Sequence, residues 1–257
     1  MIDLHNHTPL CNHAIGTPEE FIQKAIQKGI KIYGFADHAP MEFDYEYRMS
    51  FEDMSKYENE IKKLKEKYKD KIEILLGYEV DFTPFVDKRV LQREVDYLIG
   101  SVHFLDNWGF DNPEFIKEWE RRDVDDVYKE YFNKIEEMAN SRLFNIVGHI
   151  DLVKVFGHTP TKNIKDLAKN AIKAIKKENM VVEINTSGLR KPVKETYPSN
   201  ELLEMILNED IDITLSSDAH APEQVGYKLK ETIEKLKKLG VNEAVYFKNK
   251  EKFKIKL

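Results

Sequence analysis

The chain has 257 residues, 33% of them charged, with a net charge of −6; that length suits one barrel-sized domain, 1–257, with ample core. The acidic balance argues against a nucleic-acid groove, and no apolar run approaches the roughly 20 residues that span a bilayer. There is no basic or apolar leader at the N-terminus, and the single Cys11 excludes an internal disulfide, so a cytoplasmic location without membrane contact is expected.

Short apolar strands alternate with helical patterns from end to end. Strands are expected near 2–7, 32–38, 72–80, 97–103, 146–150, 180–186 and 212–217. After the first, Thr17-Pro18-Glu19-Glu20 reads as a helix start, with a capping hydroxyl, proline at the first turn and a carboxylate that reaches back. Gly29 stands where a left-handed C-cap is expected, as does Gly240. Within 161–179, Ile164, Leu167, Ala168, Ala171, Ile172 and Ile175 share one helical face, and Val225, Leu229, Ile233 and Leu236 do the same nearer the C-terminus. Seven strand–helix units without a linker predict a closed or nearly closed parallel β/α barrel. Ala244–Phe247 is a candidate eighth strand. A doubly wound open sheet is the alternative, weakened by the lack of a Gly-rich fingerprint after the first strand.

Nine metal-ligand side chains recur where apolar stretches run out: His5, His7, His13, His38, Glu79, His103, His149, Asp218 and His220. Imidazole and carboxylate suit zinc, iron and manganese. If the stretches are parallel strands, all nine converge on the C-terminal face. His5 and His7, at i and i+2 on a strand, point the same way, and Asp218 with His220 repeats the spacing. A carboxylate such as Glu79 or Asp218 at a barrel mouth needs a compensating partner, which a shared cation supplies. His158 reads as a surface-loop residue and Cys11 as an apolar filler. Asp3, Asp37 and Asp151 are able to orient imidazoles, although a structural role is favoured for neighbours that alternate to the other strand face.

Two connections exceed the usual loop length, Ala39 to about Ser50 and Phe104 to about Arg122. Their aromatic and arginine content suits an anionic ligand with a flat or apolar portion. Arg190, after the Val182–Thr186 strand, is a candidate bidentate phosphate ligand, and Arg48 on the first long loop is a second.

Asp3-Leu4-His5-Asn6-His7 with His13, then Asp37-His38, Gly77-Tyr78-Glu79, Ser101-Val102-His103, Gly148-His149-Ile150-Asp151 and Ser217-Asp218-Ala219-His220 resemble the successive motifs of the PHP (polymerase and histidinol phosphatase) family. Ser101-Val102-His103-Phe104 with Trp108-Gly109-Phe110-Asp111, and Asn185-Thr186-Ser187-Gly188-Leu189-Arg190, resemble its histidinol-phosphatase branch. The resemblance implies a distorted, TIM-like seven-stranded (β/α)7 barrel with two or three divalent metals. His5, His7, Glu79 and Asp218 would hold the first metal. Glu79 would bridge to a second with His103 and His149, and His13, His38 and His220 would hold a third. His5, His7, Glu79, His103, Asp218 and His220 would then carry catalysis, with the general acid left open between metal-bound water, His220 and the substrate. The implied reaction is hydrolysis of L-histidinol phosphate by metal-bound hydroxide, in histidine biosynthesis. Glu42, Asp44 or Trp108 are candidates for meeting the imidazole and ammonium of that substrate. A phosphoesterase for another small phosphate ester or nucleotide is the alternative. A non-catalytic metal module is disfavoured, because a structural site saturates at four ligands.

Overall fold

The computed structural model describes residues 1–257. In chain order the elements are β1 (Ile2–Asp3), α1 (Pro18–Gln27), β2 (Ile32–His38), α2 (Met54–Tyr68), β3 (Glu73–Asp81), α3 (Lys88–Leu91) and β4 (Tyr97–Ser101). A small antiparallel hairpin, β5 (Phe104–Leu105) with β6 (Trp108–Gly109), precedes α4 (Val124–Ser141), β7 (Ile146–Val147), α5 (Ile164–Lys177) and β8 (Val181–Asn185). The chain ends with α6 (Asn200–Asn208), β9 (Ile213–Ser216), α7 (Leu229–Lys238), β10 (Glu243–Lys248) and β11 (Glu251–Lys256). No helix is long and apolar enough to cross a membrane.

Seven strands form one parallel sheet in the order β1-β2-β3-β4-β7-β8-β9. Its ends meet: Leu4 N–H donates to the Leu215 carbonyl and His7 N–H to that of Ala219, each at 3.0 Å. Asn6 pairs with Ala219 as an isolated parallel bridge. The result is a seven-stranded barrel with a sparse seam, and both faces of its sheet are covered. That is why Ile74-Leu75-Leu76-Gly77-Tyr78 is buried throughout rather than alternating. One continuous core runs from Ile2 to Phe247. The expected caps are present: Thr17 and Glu20 form a reciprocal capping box at α1, and Gly29 and Gly240 adopt φ of +74° and +87°.

Three expectations change. The first and fifth barrel strands are only Ile2–Asp3 and Ile146–Val147, so their ligand-bearing residues lie beyond the ladder. The Ala244–Phe247 segment is no eighth barrel strand. It belongs to β10, which pairs antiparallel with β11 across the N-terminal end of the barrel. There Lys250 N–H donates to Asp96 C=O at 2.8 Å, Lys248 Nζ lies 3.1 Å from Glu73, and Lys252 Nζ lies 3.2 Å from Asp212. Finally, the second long connection is not a plain loop. It contains β5, β6 and a 3-10 helix over Pro113–Arg121.

Tyr97 braces the barrel interior. Its hydroxyl donates to the Leu4 carbonyl at 2.5 Å, directly beneath His5. Two glycines leave it room: a Cβ at Gly34 would fall 2.0 Å from the Tyr97 hydroxyl, and one at Gly77 would fall 2.7 Å from its ring. Gly34→Ala is therefore expected to cost about 1–3 kcal/mol by overpacking. Combining it with Tyr97→Phe should recover part of that loss in a thermal-denaturation double-mutant cycle, whereas strict additivity would dissociate the two sites.

Candidate metal centre

All nine expected ligand residues lie at the C-terminal end of the barrel. Glu79 is at the hub, 1% exposed, and its two oxygens face different groups. Oε2 lies 3.1 Å from His5 Nε2, 3.0 Å from His38 Nδ1 and 3.8 Å from His7 Nε2. Oε1 lies 2.8 Å from His149 Nε2 and 3.5 Å from His103 Nε2. It also accepts from the Ser101 hydroxyl at 2.7 Å. Strand register places it: β2 and β3 pair His38 with Glu79, each on the last residues of its strand.

Asp218 forms a second anionic point. One oxygen meets His7 Nε2 at 3.1 Å, and the other accepts from Asn185 Nδ2 and Ser187 Oγ, both at 3.1 Å. Its φ of +50°, tolerated by aspartate better than by most residues, turns the chain so that His220 returns to the site. His13, His38 and His220 close the cluster, with the His13 ring centroid 5.2 Å from that of His38 and 4.7 Å from that of His220.

The imidazoles are held from behind. His5 Nδ1 is 2.7 Å from Glu183 Oε1, His103 Nδ1 is 2.8 Å from Asp81 Oδ1, and His7 Nδ1 is 3.3 Å from Asp37 Oδ1. His13 Nδ1 donates to the Cys11 carbonyl at 2.8 Å. In each case a bond at Nδ1 leaves Nε2 free to ligate. Asp37 thus does orient an imidazole, contrary to the structural role favoured for it. Asp3 and Asp151 play structural parts: Asp3 accepts from Ser217 N–H at 2.8 Å across the seam, and Asp151 accepts from Ser199 N–H at 2.8 Å. Asp81 and Glu183 escaped the sequence reading. The available signal was the i, i+2 spacing of Glu79 and Asp81, and of Glu183 and Asn185, which puts each pair on one strand face.

The donor set suits cations. His5 Nε2 and His38 Nδ1 are buried without a hydrogen-bond partner, although both face the same Glu79 oxygen. Burial alone would push the Glu79 carboxyl up, but the charges of His5 and His103 and the hydrogen bond from His149 hold it well below the usual carboxylate range. Burial drives His38 the other way, down to about 3, despite Glu79 beside it. A ring kept neutral against a carboxylate is ready to donate its lone pair to a metal. Sets such as His5, His7 and Asp218, or His7, His38 and His220, bring their ligand atoms within 4.8 Å of one another.

A cavity of about 450 Å³ opens above the cluster, bordered by both long connections. Arg190 lines it. Its Nη2 donates to the carbonyls of Ser217 and Asp218, both at 2.9 Å, while Nη1 is buried and unpartnered. Arg48 also borders the cavity, but its guanidinium is spent on Asp44, Asp81 and the Ala39 carbonyl. This corrects the expectation of a phosphate ligand, because no fork is left to offer. Glu42 is 73% exposed and pairs with Arg89, and Asp44 is taken by Arg48. Trp108 packs edge-on against Trp119 under the Arg122 guanidinium. The lining carboxylate that remains without any hydrogen bond is Asp111, which burial pushes up from the usual range. His158 stacks on Trp119 at 4.3 Å, far from the ligand role, and Cys11 is a fully buried free thiol.

A closed seven-stranded β/α barrel with nine such groups at its mouth defines a class, and comparison with known proteins agrees with it. The PHP domain family model matches residues 3–187. The chain belongs to the PHP-domain family. Among its relatives, the probable histidinol-phosphatase of Deinococcus radiodurans is 39% identical over 246 residues, covering 93% of this chain and 94% of that protein. The histidinol-phosphatase of Bacillus subtilis is 29% identical over 270 residues, covering 91% and 98%. Histidinol phosphate phosphatase from Lactococcus lactis, solved with zinc, L-histidinol and phosphate, superposes with a TM-score of 0.83 at 22% identity over 98% of each chain, and so shares the fold.

Replacing Glu183 with glutamine keeps its shape but weakens its hold on His5. Metal affinity is expected to fall about 10–100-fold, measured by titrating the metal-free protein. Unchanged affinity would show that His5 needs no such support.

Proposed function

We propose that the protein is a metal-dependent phosphomonoesterase that hydrolyses L-histidinol phosphate to L-histidinol and phosphate. The observation that carries this reading is the pairing of the nine-group cluster with one cavity lined by both an arginine with an unpartnered nitrogen and a carboxylate without a hydrogen bond. The relative named probable histidinol-phosphatase, matched along nearly the whole of both chains, supports the substrate.

By this reading His5, His7, Glu79 and Asp218 would hold one cation, Glu79 with His103 and His149 would hold a second, and His13, His38 and His220 would hold a third. Zinc, iron and manganese all suit the donors. When bound, such cations activate water at neutral pH and neutralise the phosphate oxygens. The chain's own groups do the rest. Arg190, held rigid by two carbonyls, offers Nη1 to a phosphate oxygen. Asp111 faces the other end of the substrate and accepts from its ammonium or imidazole, as the exposed Glu42 and the committed Asp44 do not. Buried Cys11 stays a thiol in the reducing cytoplasm, where a biosynthetic enzyme of this kind would work.

Phosphate release should be efficient from L-histidinol phosphate, weak from a panel of nucleotide and sugar phosphates, and absent in His7→Ala or after chelation. Equal or better activity on the panel would keep the metal chemistry and replace the substrate. Asp111→Asn is expected to raise KM for L-histidinol phosphate about 10–100-fold, as loss of a charged hydrogen bond would, while sparing p-nitrophenyl phosphate. An equal effect on both esters would remove Asp111 from recognition of the cation. Arg190→Ala should raise KM and also lower kcat, with kcat/KM falling about 100-fold or more. Unchanged kinetics would take Arg190 out of the site.

A further inference from the structure

We propose that Arg48 is a positioning residue that acts through Asp81 to hold His103 in its ligating orientation, so that the Ala39–Ser50 strap is latched to the metal centre. This rests on the metal-centre reading above, but not on the identity of the substrate.

Asp81 divides its oxygens between two partners. Oδ1 meets His103 Nδ1 at 2.8 Å and accepts the His103 backbone N–H at 3.3 Å. Oδ2 accepts from Arg48 Nη2 at 3.1 Å. With a guanidinium on one oxygen and an imidazole N–H on the other, the carboxylate can only accept. His103 must then donate through Nδ1 and turn the Nε2 lone pair toward Glu79, 3.5 Å away. Without Arg48, Oδ2 has no partner, only the His103 backbone N–H still steadies the carboxylate, and the ring is held in one orientation and tautomer less firmly.

Arg48 is itself built in. Its side chain is 3% exposed. Nη1 donates to the Ala39 carbonyl at 3.0 Å, and Nε and Nη2 both donate to Asp44 Oδ2, at 3.1 and 2.6 Å. Ala39 directly follows the candidate ligand His38, so the guanidinium joins the start of the strap to its own turn. Asn12, which immediately precedes His13, donates to the carbonyls of Arg48 and Tyr45 at 3.0 and 3.3 Å. One strap therefore touches the supports of His13, His38 and His103. A phosphate ligand would need an open fork, and Arg48 has none; a brace needs the geometry it has.

The test uses full-length Arg48→Met, Arg48→Lys and Asp81→Asn. Three readings are taken: metal bound per chain against buffered manganese, the His103 tautomer by imidazole nitrogen NMR in the zinc-loaded protein, and steady-state kinetics on p-nitrophenyl phosphate. Arg48→Met is expected to weaken binding at one site about 10–100-fold and to lower kcat by a similar factor. KM should change little, and the His103 tautomer should become mixed. Arg48→Lys, which keeps a cation beside Asp81 but loses the fork, should recover part of the metal affinity. Full metal affinity with a single unchanged tautomer in Arg48→Met would overturn the proposal. So would a raised KM with kcat and metal content intact, which would return Arg48 to substrate binding. If Arg48→Met does not fold, Arg48→Lys decides, with Asp81→Asn as the reference for a lost His103 support: metal affinity below wild type with KM intact upholds the relay, and wild-type affinity overturns it.

Discussion

A fully buried carboxylate at the mouth of the barrel sets the terms for everything around it. Glu79 is removed from water, and an unpaired ionised carboxylate there would be prohibitive in free energy. The fold answers by aiming five imidazoles and one hydroxyl at its two oxygens. Those imidazoles cannot all be charged without repelling one another, nor all stay neutral without leaving the carboxylate uncompensated. A bound cation resolves the conflict, because each ring then donates a lone pair while the charge sits on the metal. The parallel barrel suits this arrangement, since its strands all end on the same face and each contributes one or two groups.

The two ends of the barrel divide the labour. At the N-terminal end, the β10–β11 hairpin lays Ala244, Val245 and Phe247 into the core and ties its lysines to the starts of β3 and β9. In the middle, Tyr97 crosses the interior and fixes Leu4, which leads directly into His5. At the C-terminal end the ladder gives out early: β1 stops at Asp3 and β7 at Val147. His5, His7 and His149 therefore stand on backbone freed from sheet register but pinned by specific bonds, such as His7 N–H to Ala219 and His149 N–H to Glu183. Rigidity is supplied from below and from behind, so the mouth can carry polar groups in place of packing.

Much of this was legible in the sequence, for physical reasons. Ligand residues announce themselves because they interrupt apolar runs, and parallel topology turns those interruptions into one site. Groups that bond only to other groups give no such sign. Asp81 and Glu183 occupy strand positions where a carboxylate looks like an exposed residue, and only the closed barrel shows that both face inward onto imidazole nitrogens. Arg48 was visible as an arginine on a loop, but whether its fork is free or filled depends on Asp44 and Asp81 folding around it. The Ala244–Phe247 pattern is equally apt for a barrel strand or a capping hairpin, since buried apolar residues do not encode the direction of pairing.

The separation between base and walls also divides the handling of the phosphate from the choice of ester. The cluster at the base is built from strand ends, where geometry is fixed by the barrel, and it handles what every phosphomonoester shares. On the proposed reading, discrimination would fall to Asp111, on the connection after the β5–β6 hairpin, while Arg190, on the turn after β8, would meet the phosphate. These two differ in how they are held. Arg190 is anchored by the carbonyls of Ser217 and Asp218, so it is coupled to the base and suits the constant part of a substrate. Asp111 has no hydrogen bond to the protein, and its half-buried carboxylate gains most from a ligand that brings a cation with it. An unpaired acid on a wall selects by charge, because a neutral or anionic group placed against it would leave the carboxylate desolvated and uncompensated.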